Sequence, residues 1–284
     1  MRTINTQQIT GLVERLCIEA NCYLSSDIYT CLNACCGQEK SPLGRQILGT
    51  LIENADIARN ETAPICQDTG LAVVFVTMGQ DVHIHGGFIE DAINEGVRRG
   101  YERGYLRKSV VREPLDRVNT GDNTPAVIHY DIVSGDIFHI TVAPKGFGSE
   151  NMSQLKMLKP SQGVEGVKEF VVNTVSEAGA NPCPPIIVGV GIGGTMEKAA
   201  LLSKKALLIP VGQHNPNPVL ADLETELLAK INALGIGPAG FGGIITAMSV
   251  NILTYATHIA GLPVSVNIGC HVTRHAADLL TDET

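Results

Sequence analysis

Three side chains with different chemistry lie side by side at Cys66, Gln67 and Asp68, directly before the strand-like run LAVVFVTMG. A thiol, an amide and a carboxylate in this order offer a metal ligand, a hydrogen-bonding group and a proton carrier within one turn. The same run is also typical of the polar end of a buried strand. The residues alone leave both interpretations open.

Two further cysteines stand apart from the others in equally unusual sequence. Cys183 lies in NPCPP, where flanking prolines predict an extended backbone that presents the thiol. Cys270 ends a predicted strand and precedes His271. Thiolates on turns at strand ends are the soft, rigidly held ligands that an iron–sulfur cluster requires. Ordinary buried cysteines would explain these residues as well, and their spacing carries no motif.

Five more cysteines lie near the N-terminus, at Cys17, Cys22, Cys31, Cys35 and Cys36. They lack the paired CxxC spacing of a zinc site. They also occur in predicted helices, where cysteine often serves as a small hydrophobic residue. We therefore interpret this group as structural.

The run GVGIGG, residues 189–194, matches GxGxxG between a predicted strand and a predicted helix, which is the context of a dinucleotide site. The acidic residue expected about 20 positions later is missing, because residues 209–214 read IPVGQH. Close packing of a helix on a strand, or an anion at the helix N-terminus, explains the glycines too. A dinucleotide-binding oxidoreductase therefore stays an alternative function.

Helices and strands alternate along the predicted structure. Residues 1–62 read as helical, with a helix that begins at Ser41-Pro42. Strands are predicted at 71–79, 126–133, 136–143, 244–253 and 262–269, and the later helices at 88–105, 163–179 and 222–235; residues 184–208 read as a strand, a glycine turn and a helix in succession. Ser134-Gly135 predicts a hairpin between two of the strands. We expect an α/β fold (mixed α+β), with a helical N-terminal part followed by mixed sheets flanked by helices, in one domain over residues 1–284.

The composition restricts the class of protein. A net charge of -8 argues against a nucleic acid or an anionic membrane as the main partner. No run approaches the ~18 apolar residues of a membrane span, and the polar first residues predict no signal peptide. We expect a cytoplasmic protein whose eight cysteines are free thiols or metal ligands.

Six short segments are spread over nearly the whole chain: PICQDTG (64–70), VNTG (118–121), KGFGS (145–149), CPP (183–185), GIGGT (191–195) and NIGC (267–270). Together, and in this order, they resemble the class I, iron–sulfur-dependent fumarate hydratases. More narrowly, they resemble the alpha subunit of the two-subunit form, to which the tartrate dehydratase alpha subunit is related.

This resemblance implies a [4Fe–4S] cluster whose three protein ligands are Cys66, Cys183 and Cys270. It implies that Asp68 does general acid–base work. The residues that it implies for substrate binding are Gln67, Arg107, Gly148 and His258.

The expected reaction is the reversible hydration of fumarate to L-malate, on a small dicarboxylate substrate. The loop KGFGSEN, residues 145–151, is closer to the fumarase pattern than to that of tartrate dehydratase. The alternatives are the alpha subunit of a tartrate or other 2-hydroxy-dicarboxylate dehydratase, and a non-catalytic cluster-binding module. Single-chain members continue into a second domain that completes the site, so we expect a separate beta subunit as the partner.

Overall fold

The computed structural model describes residues 2–280, and its elements confirm the prediction of a mixed α/β fold. The helices are α1 (Thr6–Cys22), α2 (Ser26–Gln38), α3 (Pro42–Glu61), α4 (Ile89–Arg103), α5 (Phe147–Glu150), α6 (Gly163–Ala178), α7 (Met196–Ala206) and α8 (Pro218–Asn232). The strands are β1 (Arg2–Asn5), β2 (Leu71–Gly79), β3 (Val82–His85), β4 (Val127–Val133), β5 (Phe138–Lys145), β6 (Gln154–Leu158), β7 (Ile186–Gly193), β8 (Ala247–Tyr255), β9 (Leu262–Gly269) and β10 (Ala276–Leu279). No helix among the described residues is long and apolar enough to cross a lipid bilayer.

These residues form two compact units, each with a hydrophobic core of its own. The first unit comprises residues 2–25, 55–147 and 274–280, and the second comprises residues 26–54 and 148–273. The assignment of residues 1–284 to a single domain stays a prediction. Residues 1 and 281–284 of that predicted domain lie outside the described residues.

The first unit is built on a sheet of order β10-β5-β2-β4, in which β2 is parallel to β4 and antiparallel to β5. Helices α1 and α4 pack against each other, and α1 also contacts β5 and β10. Val13, Ile93 and Phe138 are fully buried in the core that these elements share. Leu71 at the start of β2 pairs with Lys145 at the end of β5. The residues just before β2 therefore lie beside the residues just after β5.

The predicted hairpin is wrong, because β2 lies between β4 and β5 and pairs with both. The Ser134-Gly135 connection instead crosses the end of β2. There the Gly79 N–H donates to the Ile137 carbonyl at 2.7 Å, and the Asp81 N–H donates to the Gly135 carbonyl at 3.0 Å. A Cβ at Gly79 would lie 2.2 Å from the Gly135 carbonyl oxygen, so this crossing requires glycine. Two alternating runs joined by a turn do not reveal whether a third strand separates them.

Other predicted elements agree with the structure. Helix α3 begins at Pro42, and the Ser41 hydroxyl accepts the Gly44 N–H at 3.2 Å. The N-terminal part is helical apart from β1. The strands absent from the prediction, β1, β3, β6 and β10, are four or five residues long. Short strands like these are specified mainly by the strand that they pair with, so their own sequences carry little signal.

The second unit is built on a sheet of order β6-β9-β7-β8, in which β7 is parallel to β8 and antiparallel to β9. Helix α7 packs on β7, and its contacts explain the glycines of GVGIGG. A Cβ at Gly189 would lie 2.1 Å from the Ser203 carbonyl oxygen, and one at Gly191 would lie 2.1 Å from the Ala199 carbonyl oxygen. The helix rests directly on the strand backbone. Close packing, one of the alternatives that the sequence left open, therefore accounts for these two glycines.

Glu39 is a buried carboxylate, 2% exposed, between α2 and α3 in the second unit, and its side chain bonds to the residues that precede β8. Its Oε2 accepts the N–H groups of Ile244 and Ile245, each at 3.0 Å, and its Oε1 accepts the Ser41 N–H at 2.9 Å. Burial by itself would raise the pKa of Glu39. The backbone N–H groups outweigh that effect and hold the pKa of this carboxyl below its usual range.

Replacing Gly191 by alanine is expected to lower the free energy of unfolding by about 1–3 kcal/mol, because the new methyl group must displace α7. Gly49→Ala is the matched control: no atom lies within 4 Å of its added Cβ, and the change is expected to raise stability by up to about 1 kcal/mol. Urea unfolding followed by circular dichroism measures both. Equal midpoints for the two variants would contradict this account of the glycine.

Replacing Glu39 by glutamine is expected to destabilise the protein at pH 7 by about 1.5–3 kcal/mol, because a charged acceptor of buried N–H groups is lost. The folded pKa lies below the unfolded value of about 4.3, so this contribution is present above that pH. It is lost as the pH falls through the lower, folded value. Urea unfolding at pH 7 and at pH 3 should therefore show a difference from wild type that shrinks on acidification. Glu53→Gln, on an exposed position of α3, should show no difference at either pH.

Candidate active site

The residues Cys66–Gly70 form a turn between α3 and β2 in the first unit, called here the Cys66–Gly70 turn. Cys66 and Asp68 are half-buried, whereas Gln67 is exposed. The two oxygens of the Asp68 carboxylate accept different backbone N–H groups, Oδ1 from Gly70 and Oδ2 from Phe147, each at 3.0 Å. Each carboxylate oxygen has a second lone pair, so Asp68 keeps the capacity to accept a proton.

Two glycines allow the close backbone approaches in and beside this turn. Gly70 has a φ of +75°, and a Cβ there would lie 2.7 Å from the backbone of Lys145. A Cβ at Gly146 would lie 3.2 Å from Oδ2 of Asp68. Glycine at both positions therefore lets the Asp68 carboxylate approach the chain that follows β5.

Buried polar side chains donate hydrogen bonds to carbonyl groups of the turn. Tyr101 on α4 is fully buried, and its hydroxyl lies 2.8 Å from the Thr69 carbonyl and 2.9 Å from the Gly70 carbonyl. Burial raises the pKa of Tyr101, so its hydroxyl stays protonated and donates. Asn123, which is also fully buried, donates to the Gly70 carbonyl at 3.2 Å. The carbonyl groups of the turn are thus bonded within the core.

The same contacts bring Arg107 to the turn. The Thr69 hydroxyl donates to the Arg107 carbonyl at 3.0 Å, and Oδ1 of Asn123 accepts the N–H groups of Ser109 and Val110 at 2.7 and 3.2 Å. The side chain of Arg107 is exposed. The first unit therefore brings Arg107 together with Cys66, Gln67 and Asp68.

Cys183 lies in the second unit and is exposed. The prediction of an extended backbone is wrong here, because Cys183 has a φ of +55°. Its N–H donates to the Ala180 carbonyl at 3.0 Å in a tight turn after α6, and this turn imposes the left-handed conformation. Such a conformation costs about 1–3 kcal/mol for a residue with a Cβ and is often retained at functional sites.

Cys270 lies at the same end of the second sheet as Cys183. Strands β7 and β9 are antiparallel and pair Ile187 with Gly269, so the residues before β7 and those after β9 meet. Nδ1 of His271 lies 2.9 Å from the Cys183 carbonyl oxygen and joins the two segments. Cys270 is half-buried.

Gly148 belongs to this group too. It is exposed in α5, and a Cβ at this position would lie 3.6 Å from the carbonyl oxygen of Asn181, two residues before Cys183. The second unit therefore brings together Gly148, Cys183 and Cys270.

His258 is not brought to these residues. It is exposed in the connection between β8 and β9, where its Nδ1 accepts the Ala260 N–H at 3.2 Å. That connection precedes β9, which has eight residues, and Cys270 directly follows it. At the usual rise of a strand, the two ends are about 20 Å apart. Substrate binding by His258 stays a prediction.

The N-terminal cysteines differ in burial. Cys17, Cys22 and Cys35 are buried, which confirms the prediction that they serve as small hydrophobic residues, whereas Cys31 and Cys36 are half-buried. None of the eight cysteines, all of which lie within residues 2–280, is paired in a disulfide. Within residues 2–280, no group of three or more His, Cys, Asp or Glu side chains is arranged to hold a single metal ion.

No sequence pattern points to Tyr101 or Asn123, although both contact the turn that carries the predicted residues. Tyr101 is the one aromatic residue of the amphipathic helix α4, and Asn123 lies in a polar loop. Their only distinguishing property is the contact with residues 69 and 70, and a single sequence gives no sign of it.

Residues 10–278 match the family model described as Fumarate hydratase (Fumerase). The chain belongs to the fumarate hydratase (Fumerase) family. This finding confirms the resemblance drawn from the six sequence segments.

Members of the family with curated names are similar over nearly their whole lengths. A Methanocaldococcus jannaschii protein, provisionally named L(+)-tartrate dehydratase subunit alpha, is 44% identical over 275 residues, which are 95% of this chain and 96% of that protein. The L(+)-tartrate dehydratase subunit alpha of Escherichia coli strain UTI89 is 36% identical over 282 residues, 96% of this chain and 92% of the relative. That of strain K12 is 35% identical over 288 residues, with coverages of 99% and 94%. The chain is thus a member of a hydro-lyase alpha-subunit family.

Replacing Tyr101 by phenylalanine is expected to destabilise the first unit by about 1–3 kcal/mol, because it leaves two buried carbonyl groups without this donor. The loss should be concentrated in the Cys66–Gly70 turn. Hydrogen exchange read by mass spectrometry should then show faster exchange in a peptide over residues 66–75. Tyr130→Phe, a half-exposed tyrosine on β4, is the control and should leave that peptide unchanged. Unaltered exchange in Tyr101→Phe would mean that the turn does not depend on the hydroxyl.

Proposed function

We propose that this chain is the alpha subunit of an iron–sulfur-dependent hydro-lyase that removes water from a four-carbon 2-hydroxy-dicarboxylate. The leading reaction is the interconversion of fumarate and L-malate. Membership of the family supports the hydro-lyase part. The observation that carries the proposal is the Cys66–Gly70 turn, where a thiol and a carboxylate lie within three residues and the main chain of Arg107 is bonded to Thr69.

The donor set fits a cluster held by three cysteines. Cys66, Cys183 and Cys270 are not in disulfides, none of them is fully buried, and each lies outside the helices and strands. Cys183 and Cys270 share one end of a sheet, where a bond from His271 joins them. We propose these three residues as the ligands of a [4Fe–4S] cluster. When bound, the cluster supplies a Lewis acid that polarises the hydroxyl group to be eliminated.

The residues of this chain would do the remaining work. Asp68 takes the proton from the carbon next to the hydroxyl-bearing carbon, and the electron pair of the broken C–H bond forms the double bond. The C–O bond breaks, and the departing hydroxide takes a proton from solvent to become water. The exposed guanidinium of Arg107 binds the remote carboxylate through paired hydrogen bonds. Gln67 contributes an amide, and Gly148 contributes backbone groups. The local positive charge of Arg107 attracts a dianion despite the net charge of -8.

A separate beta subunit is the proposed partner. The relatives in both Escherichia coli strains are named as alpha subunits, and they match this chain over more than nine-tenths of their lengths. We propose that the partner adds the groups that this chain does not supply to the substrate.

Dehydration of L(+)-tartrate is the second candidate. The names of the similar proteins favour it, whereas the KGFGSEN loop favours fumarate and malate. Tartrate has a second hydroxyl group, and a site built to bond that hydroxyl would reject malate strongly because its own polar groups would be left unpaired.

The proposal is tested with the chain reconstituted anaerobically with iron and sulfide, alone and with its beta partner. Wild type should contain about four irons per chain, as expected for this class of cluster, and the Cys66/Cys183/Cys270→Ser triple variant should contain almost none. Cys31→Ser is the matched control, since Cys31 is also a half-buried free thiol and should leave the iron content unchanged. A triple variant that keeps its cluster would refute the ligand assignment.

Measuring kcat/KM for L-malate and for L(+)-tartrate with the reconstituted complex distinguishes the two candidate substrates. We expect malate to be preferred by at least about 10-fold, which corresponds to 1.4 kcal/mol of transition-state discrimination. The reverse ratio would assign tartrate. Turnover of neither substrate, with the cluster present and the partner bound, would support a non-catalytic module.

A further inference from the structure

Arg274 is a buried cation beside the Cys66–Gly70 turn, and neither the motifs nor the proposed mechanism accounts for it. Its side chain belongs to the first unit and is 5% exposed. Nη2 donates to the main-chain carbonyl of Asp68. Nε is buried and has no hydrogen-bond partner, and no carboxylate of the described residues forms an ion pair with this guanidinium.

An unpaired guanidinium in this position is costly for the protein. Arginine stays charged at any pH that a protein experiences, and burial of a charge without an ion-pair partner is unfavourable. If the only requirement were to hold the carbonyl of Asp68, one neutral N–H donor from an asparagine or glutamine would be sufficient. The positive charge therefore calls for an explanation beyond the hydrogen bond.

The backbone next to the turn leaves space for this side chain. A Cβ at Gly146 would lie 4.0 Å from Nη2 of Arg274 and 3.2 Å from Oδ2 of Asp68. The guanidinium and the carboxylate of Asp68 thus border the same glycine. Since that carboxylate already accepts two backbone N–H groups, the cation is not needed to satisfy it.

We propose that Arg274 is a positioning residue of the active site: it fixes the peptide of Asp68, and its charge favours a dicarboxylate anion bound at the turn. This inference rests on the proposed function. The two parts of the role have different kinetic effects. Loss of alignment slows proton transfer to Asp68 and lowers kcat, whereas loss of the charge weakens binding of the anion and raises KM.

Two substitutions separate these effects. Arg274→Lys keeps the charge but loses the planar fork, so kcat should fall about 10–100-fold while KM changes little. With malate deuterated at the carbon that loses its proton, the primary isotope effect on kcat should rise in this variant, because proton transfer limits the rate more strongly. Arg274→Gln keeps a donor but loses the charge, and its KM should rise about 10-fold or more.

The control is Arg99→Gln, at a half-exposed arginine of α4 that pairs with Glu95. It should behave as wild type in kcat, KM and isotope effect. All variants are assayed in the reconstituted complex with the beta partner, and rates are expressed per cluster so that poorly loaded protein does not lower kcat.

A readout that needs no turnover keeps this test separate from that of the proposed function. In cluster-free protein, the rate at which iodoacetamide alkylates Cys66, mapped by mass spectrometry, should rise at least about 3-fold in both Arg274 variants, since the turn is less constrained. Arg99→Gln should not change it. If wild type turns over no dicarboxylate, the proposed function fails, and faster alkylation in the Arg274 variants would still identify Arg274 as the residue that fixes the turn.

Two results would overturn the proposal. Wild-type kcat, KM and Cys66 alkylation in both variants would exclude any positioning role. A lower melting temperature with unchanged kcat, KM and isotope effect per cluster would reduce Arg274 to a purely structural residue.

Discussion

Two backbone N–H groups, donated by Gly70 and Phe147 to the carboxylate of Asp68, are the interaction on which the proposed site in the first unit depends. They fix the direction of the carboxylate and bind the residues before β2 to those after β5. The carbonyl groups of the same turn are bonded by Tyr101 and Asn123 from the core. A short polar sequence is thus held in one conformation by bonds to the surrounding fold, as a proton-transfer group requires.

In the second unit, strand pairing positions the two cysteines of the proposed site. Because β7 and β9 are antiparallel neighbours, the turn before one and the turn after the other share a sheet end, and Cys183 and Cys270 lie there. The left-handed backbone of Cys183 is kept in place by its bond to Ala180. The same pairing carries His258 to the far end of the sheet. The strand order therefore places Cys183 and Cys270 at one end of this sheet and His258 at the other.

Membership of the fumarate hydratase (Fumerase) family and the local geometry constrain different parts of the function. The family assignment identifies a hydro-lyase and is silent on the arrangement of this chain's own side chains. The geometry identifies which residues share a turn or a sheet end. It also assigns the GVGIGG glycines to the packing of α7 on β7, because a side chain at Gly189 or Gly191 would collide with that helix.

The sequence by itself determined the mixed α/β class, most helices and long strands, and the residue types at the site, because periodicity and turn residues are local properties. It did not determine that β2 separates β4 from β5, nor where His258 lies. Those features depend on pairing between distant segments. The clearest case is Arg274, which bonds to Asp68 across 206 positions of the chain. Only the tertiary structure placed a buried, unpaired cation beside that carboxylate, since nothing near either residue in the sequence encodes the contact.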